Sequence, residues 1–229
     1  MKKVITLLGS LTVAFVLSAT QASANILAWD VSGFGSPVNA TLTATTIDPG
    51  IANSPALSRV DIIGAPTGNA FASSGWNNTA GFLQDNKYLT FTLTAASPGI
   101  TMESLAFAAN GSSTDPATWK WGYSVNGGAF TLSSTFTASS VVQLNTWDFT
   151  DVPLSAGDSV EFRFWSYGTT AINGGVASTG GTWRIPGNGN VIGSDDLVLT
   201  YSVIPEPSTM ALIGMGLLGM LAFARRRRA

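Results

Sequence analysis

The sequence predicts an all-β fold, an antiparallel two-sheet sandwich of jelly-roll-like type, flanked by an N-terminal signal-peptide helix and a C-terminal transmembrane helix. Three observations carry this reading. Apolar and polar residues alternate with a period of two in segment after segment, Gly, Asn and Pro punctuate the intervals, and no helical period is sustained outside the two apolar ends.

The first element is a leader. Met1-Lys2-Lys3 is followed by an apolar run from Val4 to Ala19 and by Ala22-Ser23-Ala24. A basic start, an apolar stretch and a small-x-small site make a secretory signal peptide. Ala22 and Ala24 fit the shallow pockets of signal peptidase, which places the cut between Ala24 and Asn25.

The strands follow. Lys87 to Thr94 sets Leu89, Phe91 and Leu93 against Tyr88, Thr90, Thr92 and Thr94, and Thr118 to Val125 puts Trp119, Trp121, Tyr123 and Val125 on one face. Asp158 to Trp165 turns Val160, Phe162 and Phe164 inward and Glu161, Arg163 and Trp165 outward, and Leu197, Leu199, Tyr201 and Val203 form a last stripe. Weaker segments are Ile26–Val31, Val38–Ile47, Leu57–Ile63, Thr101–Ala108, Phe130–Phe136, Val141–Phe149 and Gly181–Ile185. Asn126-Gly127-Gly128 suits a tight hairpin, because Asn and Gly tolerate positive φ. Ser97-Pro98-Gly99, Ser155 to Asp158 and Pro186-Gly187-Asn188 are further turns. Ten or eleven short strands in one domain, residues 25–203, are the expectation.

The last element is a tail. Pro205-Glu206-Pro207 is followed by an uncharged stretch from Met210 to Ala224 and by Arg225, Arg226, Arg227 and Arg228. A helix of this length spans roughly 22 Å, short of the ~30 Å hydrocarbon core, and snorkelling Arg side chains and a thinned bilayer allow it to cross. The Arg cluster then acts as the cytoplasmic stop and the sandwich lies outside. Gly214-x-Gly216-x-x-Gly219 matches a dinucleotide fingerprint in letters alone: no strand precedes it, and glycines in a membrane helix serve close helix packing.

The ordered set of Pro-Glu-Pro, apolar helix and terminal Arg cluster, residues 204–229, resembles the PEP-CTERM sorting signal of Gram-negative bacteria. The resemblance implies that Pro205, Glu206 and Pro207 are recognised by exosortase, a membrane protease/transpeptidase. It also implies export through the inner membrane as an anchored precursor, then a place at the cell surface or in an exopolysaccharide or biofilm matrix. Lys87 to Thr94, Trp119 to Gly128, Phe162 to Trp165, Gly181 to Ile185 and Asp195 to Leu199 further resemble a jelly-roll-like domain recurrent in such proteins.

Composition narrows the chemistry. With 0 His and 0 Cys, a Ser-His-Asp triad, a thiol nucleophile and a His- or Cys-built metal site are excluded. Residues 25–203 carry five bases (Arg59, Lys87, Lys120, Arg163 and Arg184) against twelve acids, which disfavours nucleic acid and anionic lipid as partners. No cofactor is expected. A glycoside hydrolase needs two positioned carboxylates, and Glu103 and Glu161 are the domain's two Glu among scattered Asp. Trp76, beside Asn77 and Asn78, and Trp165, sharing a face with Glu161 and Arg163, are the candidate sugar contacts; the competing reading makes Trp76 a plug at the sandwich end and packs Trp165 under the loop 168–180. Trp119, Trp121 and Trp183 are expected in the core. Asp195 and Asp196 could supply Ca²⁺ ligands, although neighbours in a strand project to opposite faces. The sequence thus points to a non-enzymatic, exported structural or adhesive protein whose partners are signal peptidase, exosortase, the membrane and extracellular polysaccharide. A carbohydrate-binding module is the alternative, and a glycoside hydrolase is the third reading.

Overall fold

Alternating side chains oblige each strand to bury one face, and two sheets pressed together satisfy all of them at once. A computed structural model of the chain describes residues 24–35, 40–79 and 86–203, with 214, 216–218 and 220. The strands are β1 (Asn25–Trp29), β2 (Leu42–Thr43), β3 (Thr46–Ile47), β4 (Ala56–Val60), β5 (Ile63–Gly64), β6 (Ala70–Ser74), β7 (Tyr88–Thr94) and β8 (Ile100–Gly111). They continue with β9 (Pro116–Val125), β10 (Thr131–Leu132), β11 (Phe136–Thr137), β12 (Gln143–Leu154), β13 (Ser159–Ala171), β14 (Trp183–Pro186) and β15 (Leu197–Val203). One sheet runs β3-β1-β15-β8-β14-β6-β5, with β12 also on β8; the other runs β10-β9-β13-β7-β4-β2, with β11 also on β9. The expected antiparallel sandwich is therefore present.

The expected strand count matches the ten strands of four residues or more, and five two-residue pairs complete the set. Four expectations needed revision. Leu57–Ile63 divides into β4, which pairs β7, and β5, which pairs β6 in the opposite sheet. Val38–Ile47 does not form one strand: its described part divides into β2, which pairs β4, and β3, which pairs β1 in the opposite sheet. Phe130–Phe136 divides into β10 and β11, interrupted where Ser133 leaves the ladder. Its Oγ accepts the Trp121 N–H at 3.1 Å and donates to the Ser134 carbonyl at 2.6 Å. β6 was not anticipated, because four of its five residues are buried and small residues fill both faces, so no alternation marks it.

The core is aromatic. Phe91 stacks on Phe162 at 4.8 Å, and Phe164 meets Trp183 across the sandwich at 4.2 Å. Trp121 is edge-on to Phe107 and Phe164. Trp119, Trp121 and Trp183 are fully buried, as expected from their spacing. Each such ring removes roughly 150–250 Å² from water, which is why a chain with no disulfide can hold this fold. Arg59 on β4 straps the sheets at one side: Nε donates to Ser73 Oγ at 2.9 Å, the guanidinium donates to the carbonyls of Ala72 and Ala40, and it lies 3.9 Å over Phe71. Burial lowers its pKa to about 10.

β1 and β15 are antiparallel neighbours, with Asn25 opposite Tyr201. The chain therefore enters and leaves the sandwich at the same end of one sheet. Among the described residues no helix is long and apolar enough to cross a membrane. Most of the signal-peptide expectation, including Ala22, and the motif Pro205-Glu206-Pro207 and Arg225 to Arg228 lie outside the described residues. So does most of the predicted span, of which 214, 216–218 and 220 are helical.

Candidate functional site

On β14 Trp183 and Ile185 point into the core, which turns Arg184 between them to the outer face of its sheet. Arg184 pairs directly with Asn110 at the end of β8. Together with Thr67, Gly68, Asn69, Ala70, Val142, Pro186 and Asn188 these two residues line a cavity of about 290 Å³. Asn69 shapes one wall by adopting a φ of 57°, and its Oδ1 accepts the Gly33 N–H at 2.7 Å. Three wall residues each carry a buried polar atom without a hydrogen-bond partner: Thr67 Oγ1, Asn110 Oδ1 and Arg184 Nε. Each of the three exposes less than 1 Å², so they lie behind the cavity surface and not in it, and leaving such an atom unmet costs about 1–3 kcal/mol.

The opposite wall, the turn 187–190, is held by Asp196. Its carboxylate is wholly buried and accepts three backbone N–H groups, from Val31 at 3.0 Å, Gly189 at 2.8 Å and Asn190 at 3.0 Å. Burial raises its pKa, the three N–H groups oppose that rise, and the charge of Asp30 adds to it. Gly189 is required here, since a Cβ would stand 2.0 Å from Ala108 Cβ. Asp196 is thus a brace, with both oxygens committed to the backbone and neither left for a cation. Among the described residues, no group of three or more carboxylates is placed to hold a metal ion.

The rings of both candidate sugar contacts are covered. Trp76 is 0% exposed: Gly75, at a φ of 87°, turns the chain inward, and the indole lies 5.6 Å from Phe164 and 6.2 Å from Trp183 while Nε1 donates to the Ser73 carbonyl. It is the plug of the competing reading. Trp165 is 1% exposed although it points outward from its sheet. Its cover is Phe130 at 5.7 Å and Tyr88 at 6.3 Å rather than the loop 168–180. Gly122 makes room for that cover; a Cβ there would meet Leu132, Trp165 and Phe130 at 2.9 to 3.2 Å. Glu161 grips Arg163 through both oxygens, at 2.7 and 2.9 Å, and also accepts Thr90 Oγ1.

A further acid lies at the sandwich end. Asp115 is completely buried; its Oδ2 accepts Trp119 Nε1 and Ser166 Oγ, both at 3.2 Å, and Oδ1 has no partner. Burial pushes its pKa up to about 7, against the opposing pull of these two donors and of the Arg184 charge. No local pattern marks this acid, because Asp115 stands in a polar turn before β9, and the segment that seals it, through Ile172 and Ser178, comes from the loop after β13. Arg184 was visible as one of the five bases; the partner strand that makes it a pocket residue was not.

Comparison with known proteins adds the following. Residues 203–228 match the PEP-CTERM protein-sorting motif. The chain carries this motif immediately after its last strand, and the motif implies exosortase-dependent export of a precursor anchored by its C-terminus. No curated protein matches the chain. Similar solved structures include a carbohydrate binding module of family 29 (16% identity, TM-score 0.33, covering 79% of this chain and 89% of that one). Another is a family 35 carbohydrate binding module from Cellvibrio japonicus (15% identity, TM-score 0.32, covering 80% and 95%). The architecture described above stands on the strand pairing and not on these likenesses.

Proposed function

We infer that the chain is a surface or matrix protein: a sandwich exported through the Sec route, held by its tail, and released or transferred by exosortase near Pro205-Glu206-Pro207. The observation that carries this is the sorting motif at 203–228 beginning where β15 ends. Two structural facts support it. β1 begins at Asn25, directly after the expected signal-peptidase cut, and Asn25 lies opposite Tyr201, so a leader and a tail both held in one membrane leave the sandwich on the same side. The role is structural or adhesive in extracellular polymer. Intact-mass analysis of the protein from a producing strain with active exosortase tests the processing: a chain starting at Asn25 and lacking residues 210–229 is expected. A mature chain that retains both ends overturns the proposal.

A second reading, recognition of extracellular polysaccharide by the sandwich, is favoured by one specific observation, the cavity of about 290 Å³ beside Arg184. Retention on affinity gels containing the bacterium's own exopolysaccharide is the corresponding measurement, and free migration through every such gel removes it.

A further inference from the structure

We propose that residues 172–182 form a lid over one end of the sandwich, and that loss of the Asp115 proton opens it. The carboxyl is completely buried, and its Oδ1 meets no donor. The two bonds to Oδ2, from Trp119 Nε1 and Ser166 Oγ, are both 3.2 Å long, against roughly 2.5–2.9 Å for charge-assisted bonds. This is a place for a neutral acid. A carboxylate there would keep one oxygen without any donor, which is the costly way to bury a charge. Because Oδ1 is closed to water, ionisation has to wait for the cover to lift.

The cover is built to lift. It lies on the turn 112–115 main chain to main chain: Ile172, Asn173 and Ser178 donate their N–H groups to the carbonyls of Asp115, Ser113 and Thr114, each at 3.0 Å, and the Ser112 N–H reaches the Thr182 carbonyl at 2.8 Å. Gly181 permits the approach, since a Cβ there would stand 2.5 Å from the Thr114 carbonyl oxygen. Little apolar surface reinforces these bonds. Ile172 is half-buried and Ala177 buried, while Asn173 to Val176 and Ser178 to Gly180 are exposed, Val176 by 84%. A segment held by a few hydrogen bonds and few apolar contacts opens locally, at less cost than the whole domain.

Asp115 sets the pH at which this happens. The lid and residues 112–114 carry no ionisable side chain, β8 presents Gly111, β9 Trp119 and β13 Ser166, and the charge that acts on the carboxyl is that of Arg184 on β14. Burial raises the pKa under the closed lid to about 7, whereas 3.8 is the ordinary value for a hydrated carboxyl. The closed form therefore binds the proton more tightly; it is favoured at low pH, loses ground as pH rises to about 7, and then levels. Between pH 5 and pH 8 opening should become about 100-fold more frequent.

Residue-resolved hydrogen exchange of the full chain in dodecyl maltoside micelles, corrected for intrinsic rates, is the test. Expected is a fall of at least about 10-fold from pH 5 to pH 8 in protection of the Ser112, Ile172, Asn173 and Ser178 amides, with little dependence on urea. Amides of β15 should stay more protected and keep the full urea dependence of global unfolding. Asp115→Asn should hold lid protection constant to within about 2-fold over the same range. Where Asp115→Asn does not fold, Arg184→Met decides, because removing that charge should move the midpoint to higher pH. Lid protection that is constant with pH in the wild-type chain, or lost only with global unfolding, overturns the proposal. So does a pH dependence that persists in Asp115→Asn or keeps its midpoint in Arg184→Met.

Discussion

Arg163 and Arg184 occupy equivalent positions on the two outer faces of the sandwich, and their surroundings differ completely. Arg163 is closed by its own sheet: Glu161 takes its Nε and one terminal nitrogen, and Tyr88 and Phe130 lie 4.1 and 4.6 Å from its guanidinium carbon. Arg184 faces a cavity with its Nε unpartnered, opposite an Asn whose oxygen is equally unmet. Both arise from the same local pattern, an Arg flanked by two core residues. The difference is supplied by what folds over them. The β9–β10 hairpin delivers Phe130 onto one face, whereas the turn 187–190, pinned by Asp196, stops at the rim of the other. A closed face serves stability, whereas the other keeps a cavity beside its Arg.

The strongest way to break this contrast is to release the rim. Asp196→Ala deprives three backbone N–H groups of their acceptor, and a loss of at least about 3 kcal/mol in urea unfolding is expected. Next comes Asp115, whose pKa the Arg184 charge holds down. Its folded carboxyl keeps the proton up to about pH 7, against 3.8 as the ordinary value. The folded state therefore binds more protons in this window, and stability falls as pH rises from about 4 to about 7, then levels. Asp115→Asn keeps an oxygen for Trp119 and Ser166; it should flatten that slope and raise stability at pH 8 by about 2 kcal/mol, read from unfolding curves at pH 5 and pH 8. Arg163→Met tests the closed face: a bidentate pair at the surface and two ring contacts together are worth about 1–2 kcal/mol in thermal or urea unfolding. Arg184→Met has the smallest expected effect, within about 0.5 kcal/mol, because its Nε contributes no bond to the fold. It should also move the Asp115 titration upward, since it removes the charge that opposes it. A loss for Arg184→Met as large as that for Arg163→Met would erase the distinction between the faces.

Much of the fold was legible because strand alternation is local. Phe162 and Phe164 turn inward and Arg163 and Trp165 outward from the sequence pattern alone, and Asn126 and Gly127 adopt the positive φ values that their hairpin demands. β6 escaped because a strand buried on both faces loses its alternation. The sequence left Trp76 and Trp165 open between sugar contact and packed ring for two different reasons. A Trp beside two Asn looks like surface, but Gly75 redirects it; a Trp on an outward face looks exposed, but a hairpin from another part of the chain covers it. The pocket was illegible because Thr67, Asn110 and Arg184 are widely separated along the chain and meet only through the β8–β14 and β14–β6 pairings.

By itself the sequence determined the all-β class, the direction in which most strand side chains point, the acidic character of the sandwich and the delivery signal at residues 203–228. Each of these depends on near neighbours along the chain or on plain sums over it. Tertiary structure alone decided which outward residues are covered, that Asp196 serves the backbone, and that three polar atoms are left unmet around one cavity. Coverage and hydrogen-bond satisfaction are properties of segments brought together from distant positions, and no period or spacing in the sequence encodes them.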